Sequence, residues 1–346
     1  MAEDTPGGDI MTSSDFLNSE SPIPSYRAER LRPRISLTSD VLDFRKCERK
    51  YGLYKVRNFQ ASAPTAEFVG TFAHRSLEKA WREAREGNTP NQARMIKIME
   101  DIRMQMVNEE KRQLTNENAV LKVGRQVMRM HATLAARRLY EIWFDTERRF
   151  RLLEGDFVIE GVVDALFEHE GNVMLWDWKA SNDPRAIIIR EGATERSLNY
   201  AQRVIDDYSL QLRIYHHLYS RVIGTTPQEC RIIFLGEMPV EGEPLSKRKL
   251  VDAWAEVEMT PLSDEEWAAF EKDSSNPSKP GLFYTVSTTT EDIRSAVAEF
   301  DSTASEIITC RDVDRWEAPD QDCLPDRQTC LDCDFRKSCP ALKEVS

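Results

Sequence analysis

Long apolar runs are missing from this 346-residue chain. None approaches the ~20 residues that span a bilayer, so no membrane segment is expected. The N-terminus lacks a basic stretch followed by an apolar one, so export is not expected and a cytoplasmic location is. Excess positive charge is also lacking, because the formal net charge is −12. That argues against the broad basic surface of a protein that coats DNA, while leaving room for a local basic groove. No internal repeat is visible. What the chain does have is 40% hydrophobic residues, enough for a sizeable core. Its length suits one large domain with insertions or two ordinary ones. It also has seven cysteines, Cys47, Cys230, Cys310, Cys323, Cys330, Cys333 and Cys339. The number is odd and the spacing uneven, and clustered cysteines in a cytosolic chain point to metal rather than disulfides.

The most informative stretch runs from Glu160 to Lys179. Two apolar runs flank a polar, Gly-containing connection at 168–172, which predicts a β-hairpin. Asp164, Asp177 and Lys179 interrupt runs that otherwise read as buried, and charges are rarely buried without partners. Asp177 and Lys179 are two apart and so share a strand face. Asp164 is placed to sit opposite them. Two adjacent carboxylates repel unless a cation lies between them, and Mg²⁺ is the usual hard cation for oxygen ligands. A neighbouring lysine orients water or stabilises developing negative charge. The pattern suits metal-assisted phosphodiester hydrolysis. The bland alternative is a surface hairpin with solvated charges.

In chain order, residues 1–33 are rich in Gly, Ser, Pro, Asp and Glu and read as a disordered tail. Ser36 to Asp40 offer capping residues before a short helix that carries Cys47 and continues into Tyr51, Leu53 and Tyr54. On its own, Cys47 reads as a small core residue. Over Thr65 to Arg85 the periodicity is helical, with Gly70, His74, Leu77 and Trp81 on one face. His74 then lies at the core edge, and Gly70 one turn earlier permits close approach of a backbone or substrate. After Asn88-Thr89-Pro90, residues 91–114 and 118–145 read as two long helices. Their stripes are Met95, Ile98, Met99, Ile102 and Met106, and Val120, Val123, Val127, Met130 and Leu134. Arg125, Arg129, Arg137 and Arg138 would face DNA or, more ordinarily, water. A strand region begins near Glu147. Ser209 to Tyr219 reads as an amphipathic helix from which Gln211 and Tyr215 reach back to the hairpin. The His216-His217 pair reads as structural. Arg231 to Leu235 reads as a buried strand, with Trp254 to Met259 as its hairpin partner. Helices are expected over 263–273 and 290–309, and the tail ends in Cys330-x-x-Cys333 and Cys339.

Taken together, these pieces resemble the RecB-like branch of the PD-(D/E)XK nucleases. The likeness is to members that carry an iron–sulfur cluster, such as CRISPR-associated RecB-like exonucleases, their phage relatives and the AddB nuclease domain. It covers roughly residues 36–340. The family's Gly-x-x-x-His motif matches Gly70 to His74, and its Gly-x-x-Asp motif matches Gly161 to Asp164. Its Asp/Glu-x-Lys motif matches Asp177-Trp178-Lys179, and its Gln-x-x-x-Tyr motif matches Gln211 to Tyr215. Its four cluster cysteines match Cys47, Cys330, Cys333 and Cys339. Any one of these is weak, but five in order make a specific signal. Two departures stand out. Val163 precedes Asp164 where the superfamily's name has proline, and Ala180-Ser181 follow Lys179 where relatives often carry Thr-Gly.

The resemblance implies an α/β restriction-endonuclease-like core, a mixed central sheet flanked by helices. It implies one nuclease domain over 34–346, with a helical insertion at 88–145 and a C-terminal cluster-binding segment at 310–346. It implies that His74, Asp164, Asp177 and the Trp178 carbonyl hold Mg²⁺ or Mn²⁺. Lys179 would act on the transition state, and Gln211 and Tyr215 would contact DNA or support Lys179. The four cysteines would bind a 4Fe–4S cluster as a structural staple, with a Cys₄ zinc site as the alternative. Cys310 and Cys323 lie near enough in sequence to substitute as ligands. The implied activity is a metal-dependent DNA exonuclease acting on single-stranded ends, in recombination, repair, or phage or CRISPR DNA processing. The alternatives are a nuclease subunit active only beside a helicase or integrase, and a non-catalytic DNA-end binding protein.

Overall fold

The computed structural model describes residues 32–59, 65–114, 116–242, 249–319, 327–331 and 333–343. The expected N-terminal tail lies, up to residue 31, outside the described residues, as does Cys323.

Six strands form one mixed sheet among the described residues: β1 (Arg34–Ser36), β2 (Trp143–Glu154), β3 (Phe157–His169), β4 (Asn172–Lys179), β5 (Glu229–Phe234) and β6 (Phe283–Thr285). β2, β3 and β4 run antiparallel in succession. β5 returns parallel to β4, β6 is antiparallel to β5, and β1 lies parallel to the first part of β3. The β3–β4 turn is only Glu170 and Gly171, both at positive φ (52° and 79°). A two-residue turn of this kind needs left-handed backbone at both positions, which glycine supplies at no steric cost.

Six longer helices cover the sheet: α1 (Thr65–Arg85), α2 (Gln92–Met104), α3 (Glu117–Ala136), α4 (Glu195–Ile223), α5 (Asp264–Lys272) and α6 (Thr290–Val313). α1, α2 and α3 bury Phe72, Leu77, Met99, Val127 and Met130 against Phe167, Trp176 and Trp178 of the sheet. On the opposite face, α4 and α6 bury Leu210, Ile214, Leu218 and Phe300 against Ile159, Val163, Leu175 and Ile232. With both faces covered, β4 and β5 have no solvent side, which is why they read as near-continuous apolar runs. This is the mixed sheet flanked by helices that the resemblance implies. No helix among the described residues is long and apolar enough to cross a membrane.

Several expectations are corrected. α3 stops at Ala136, where Arg138 turns to φ 56°, and β2 already begins at Trp143. Trp143 is drawn into an aromatic cluster with Tyr140, Phe167 and Trp178, so tertiary packing outweighs the continuing helical pattern. Likewise α2 is regular only to Met104 and widens into a π-helical turn over Gln105–Glu109. Trp254 to Met259 is no strand. Leu250–Ala255 is helical, and Trp254 donates to the Leu121 carbonyl at 3.2 Å. Its indole fills the space a side chain at Gly124 would need, with a Cβ there only 2.4 Å from Nε1. The partners of β5 are β4 and β6 instead. Of the α3 arginines, Arg129 pairs with Glu266, and Arg137 pairs with Asp264 and covers the Trp267 ring. Arg125 is buried, and only Arg138 sits on a solvated face.

Two described segments far apart in sequence meet at Tyr54 and Asp334. Tyr54 Oη donates to Asp334 Oδ2 at 2.9 Å and accepts from the Asp334 N–H at 2.8 Å. Phe335 packs its ring on Tyr54 and Phe59. Trp316 covers Gly52, where an added Cβ would lie 2.2 Å from the indole.

Candidate active site

The β3–β4 ladder pairs Ala165 with Trp176, and one step further along Asp164 faces Asp177. On β4 the alternation sends Trp176 and Trp178 into the α1–α3 core and turns Asp177 and Lys179 toward α4. On β3 the alternation slips at Asp164: Val163 belongs to the α4 core, Ala165 to the opposite core, and Leu166 to the α4 core again. After the slip the Asp164 carboxylate reaches the β4 backbone, where Oδ2 accepts from the Trp178 N–H at 2.9 Å. Asp164 is 8% exposed and Asp177 2%.

α1 brings His74 to the same place. Its Nδ1 lies 3.4 Å from Asp164 Oδ2, and its Nε2 donates to the Trp178 carbonyl at 2.5 Å. Burial opposes a charge on the imidazole, but Asp164 and then Asp177 outweigh it and hold its pKa up to about 9. Burial pushes Asp177 up to about 6 despite Lys179, while His74 overcomes burial at Asp164 and holds that carboxyl below its ordinary value. The pocket thus divides two carboxylates by environment, and it offers an imidazolium where a cation is wanted.

α4 supplies the other wall. Gln211 Nε2 donates to Asp177 Oδ1 at 2.9 Å and to Tyr215 Oη at 3.0 Å. Gln211 Oε1 accepts from Lys179 Nζ at 2.9 Å, and Nζ also lies 2.6 Å from Asp177 Oδ2. One amide therefore fixes both the carboxylate and the ammonium. α4 reaches this position because it is longer than the Ser209–Tyr219 pattern predicts. It starts where the Thr194 side chain accepts from the Ser197 N–H and ends at Gly224, φ 86°. Both are standard helix signals. Its first turns carry Leu198, Ala201, Ile205 and Tyr208 at helical spacing, a weaker period diluted by the charged residues between them.

Close packing of α4 on β3 requires Gly161. A Cβ there would lie 2.8 Å from the Tyr215 ring and 2.9 Å from Leu218 Cδ1. Gly161→Ala is expected to cost about 1–3 kcal/mol by overpacking. It should also loosen Gln211 from Lys179. Denaturant unfolding and cleavage rate should fall together, and an unchanged unfolding midpoint would count against this account.

Sequence reading missed Glu147. It lies within a charged run, 145–149, that looks outward-facing, and as a whole residue it is exposed. The β2–β3 ladder nevertheless places it across from Asp164, between the pairs Thr146–Ala165 and Arg148–Val163. Its backbone is left-handed at φ 49°, a conformation that costs a non-glycine residue energy and re-aims its side chain. A ligand atom from each of His74, Glu147 and Asp164 lies within 4.8 Å of the others. Recession of the Glu147 carboxyl and the charge of Asp164 push its pKa to about 7. No cue in the residue order announces this turn of the backbone.

Cys47 lies near enough to Cys330, Cys333 and Cys339 to feel their charge. Burial pushes the Cys47 thiol up, and Cys333, Cys339 and Cys330 each push it further. All four are free thiols. Cys47 breaks the helical path between Asp43–Lys46 and Glu48–Tyr51, and Cys333 donates its N–H to the Cys330 carbonyl in a tight turn. Cys310 instead donates to Glu48 at 3.6 Å, and Cys230 is buried in the sheet. Of the histidine pair, His217 contacts Glu154 and His216 is buried.

Among solved structures, a crystal structure of a Eubacterium rectale protein named "Putative exonuclease" is similar over 96% of this chain and 94% of that one, at 12% identity and a TM-score of 0.46. A crystal structure of a protein designated SSO0001 is similar over 79% of this chain and 98% of that one, at 13% identity and a TM-score of 0.28. No curated protein matches. The family model of the PD-(D/E)XK nuclease superfamily matches residues 38–340, which include every site residue described above, and the chain belongs to that superfamily.

Proposed function

We propose that this chain is a metal-dependent DNA exonuclease of the RecB-like type, acting on single-stranded ends. The observation that carries the reading is the buried constellation of His74, Asp164, Asp177 and Lys179, locked by Gln211. The donor set fits a hard divalent ion: His74, Glu147 and Asp164 are grouped, the Trp178 carbonyl is beside them, and Asp177 is a further candidate whose oxygens face Gln211 and Lys179. When bound, Mg²⁺ or Mn²⁺ supplies Lewis acidity to the phosphate and acidity to a bound water. The chain's own part is to aim the groups. Lys179, anchored on Asp177 and Gln211, presents a preorganised ammonium to the charge that grows in the transition state. Gln211 keeps that ammonium from drifting, and Tyr215 keeps Gln211 in place. His74, charged while it faces Asp164 alone, gives up its proton to become a ligand. The helical layer of α2 and α3 packs beside α1 and is read as favouring entry by a free strand end. The four cysteines fit a 4Fe–4S cluster that joins the two ends of the fold.

The direct test is digestion of end-labelled single- and double-stranded DNA with Mg²⁺, Mn²⁺ or chelator. Metal-dependent shortening of single strands from an end supports the reading. Binding of ends with no products under any metal would instead make this a non-catalytic end-binding protein. Products that appear only on adding a helicase or an integrase would identify a subunit.

Glu147→Gln keeps the size and removes the charge. Weakening a metal-supporting carboxylate commonly costs 10–100-fold in affinity or activity. The Mn²⁺ concentration for half-maximal cleavage is therefore expected to rise by about that factor. An unchanged metal dependence would remove Glu147 from the site.

A further inference from the structure

We infer that Tyr208 is a positioning residue for Lys179, acting through the face of its ring. The inference rests on the reading of Lys179 just given. Lys179 Nζ forms an ion pair with Asp177 Oδ2 at 2.6 Å and donates an N–H to Gln211 Oε1 at 2.9 Å. On its remaining side it lies 4.6 Å from the centre of the Tyr208 ring. Tyr208 sits on α4 one turn before Gln211, so the same helix delivers both contacts.

The ring is itself braced. It packs at 6.1 Å on Phe234, the residue paired with Lys179 across the β4–β5 ladder. A tyrosine there is therefore fixed to the very rung that carries the lysine. The negative face of an aromatic ring attracts an ammonium, and more strongly when water is partly excluded. Lys179 is recessed, with its side chain 17% exposed. The two carboxylates of the site pull Nζ inward, and the ring offers a weaker attraction on another side. Catalysis calls for such an arrangement: the ammonium is held in place, yet one N–H is bound only softly and turns to a substrate oxygen without a hydrogen bond being broken. Among the described residues no hydrogen bond of the Tyr208 hydroxyl is seen, and the ring face is the part that meets Lys179.

The test separates ring electronics from shape. Tyr208→Phe, Tyr208→Leu and a series of progressively fluorinated phenylalanines at 208 are compared with the unaltered chain. Cleavage of single-stranded DNA, Mn²⁺ affinity and thermal midpoint are measured for each. Tyr208→Phe is expected to retain kcat, and Tyr208→Leu to lose about tenfold in kcat with KM little changed. Along the fluorinated series kcat should fall steadily as the ring face loses negative charge, at constant midpoint and constant Mn²⁺ affinity. A flat fluorinated series overturns the inference, since it would leave the ring only a packing role. A loss in Tyr208→Phe as large as in Tyr208→Leu also overturns it, and would assign the effect to the hydroxyl. In both cases the unaltered chain still cleaves, so the nuclease reading stands. Absence of cleavage by the unaltered chain with either metal removes both.

Discussion

Lys179→Ala is expected to lower single-turnover cleavage by about 10²–10⁴-fold, the range for losing one positioned general acid–base or charge-stabilising group. Metal affinity and DNA affinity should change little, because Lys179 acts on charge that develops only in the transition state. Breaking a buried ion pair normally costs about 3–5 kcal/mol, because the surviving charge is left unpaired. Here the cost should be smaller. Burial already holds the Asp177 carboxyl up to about 6, so without Lys179 it is ready to take a proton and remain buried as a neutral group. Gln211 Nε2 still bonds its Oδ1. Lys179→Met, which keeps the length of the stem, checks that the loss is chemical. Both variants should bind Mn²⁺ and single-stranded DNA near wild-type levels while failing to cut. Cleavage by either at close to the unaltered rate would remove Lys179 from the mechanism.

The parts of this site that were legible in the sequence share one property. Each is a polar residue set against a strong apolar pattern. Asp164, Asp177 and Lys179 stand out because β3 and β4 are covered on both faces. His74, Gln211 and Tyr215 stand out because α1 and the middle of α4 are amphipathic. Glu147 failed that criterion: charged neighbours surround it, and only a left-handed residue within β2, set across from Asp164, turns it to use. Trp254 failed in the other direction. Its segment alternates well enough for a strand, but the indole is consumed by the gap over Gly124, a contact between elements far apart in sequence. The arginines of α3 look like a helix face open to solvent or DNA until α5 supplies Glu266 and Asp264 as partners. Motif spacing gave the candidate ligands, whereas long-range packing decided which charges were paired. That difference bears on DNA binding. With most of those arginines paired internally and a net charge of −12, attraction to DNA falls on few groups near the site. Raising salt should then weaken binding with a shallow slope.

The largest structural effect is expected at the cysteines. Cys47 belongs to the short helical turns at one end of the chain, and Cys330, Cys333 and Cys339 to short turns at the other. The turns around Cys47 bury Phe44 and Tyr51 in the core, whereas the described turns over 327–343 bury little apolar surface. The described contacts that join them include Tyr54 with Asp334 and the Phe335 ring on Tyr54 and Phe59. Holding these thiols as thiolates is unfavourable without a cation: burial pushes the Cys47 thiol up, and Cys333, Cys339 and Cys330 push it further. A bound cluster reverses that penalty, because it takes all four as thiolates. Protein purified without oxygen is expected to be brown and to hold about four iron and four sulfide per chain, as one 4Fe–4S centre requires. Cys47→Ser, Cys330→Ser, Cys333→Ser and Cys339→Ser should each bleach the protein and reduce its soluble yield. Proteolysis should then begin at the two ends while the sheet resists. Cys230→Ser should keep the colour, because Cys230 is buried within β5. Cys310→Ser should keep it too, because that thiol is engaged with Glu48. If Cys323→Ser bleaches the protein and Cys330→Ser does not, Cys323 is the ligand in place of Cys330. Colourless anaerobic protein with one zinc per chain would replace the cluster by a zinc staple. Under either metal, Asp164, Asp177 and Lys179 should remain the cutting centre, since the cysteines hold the chain ends and take no part in positioning those three groups.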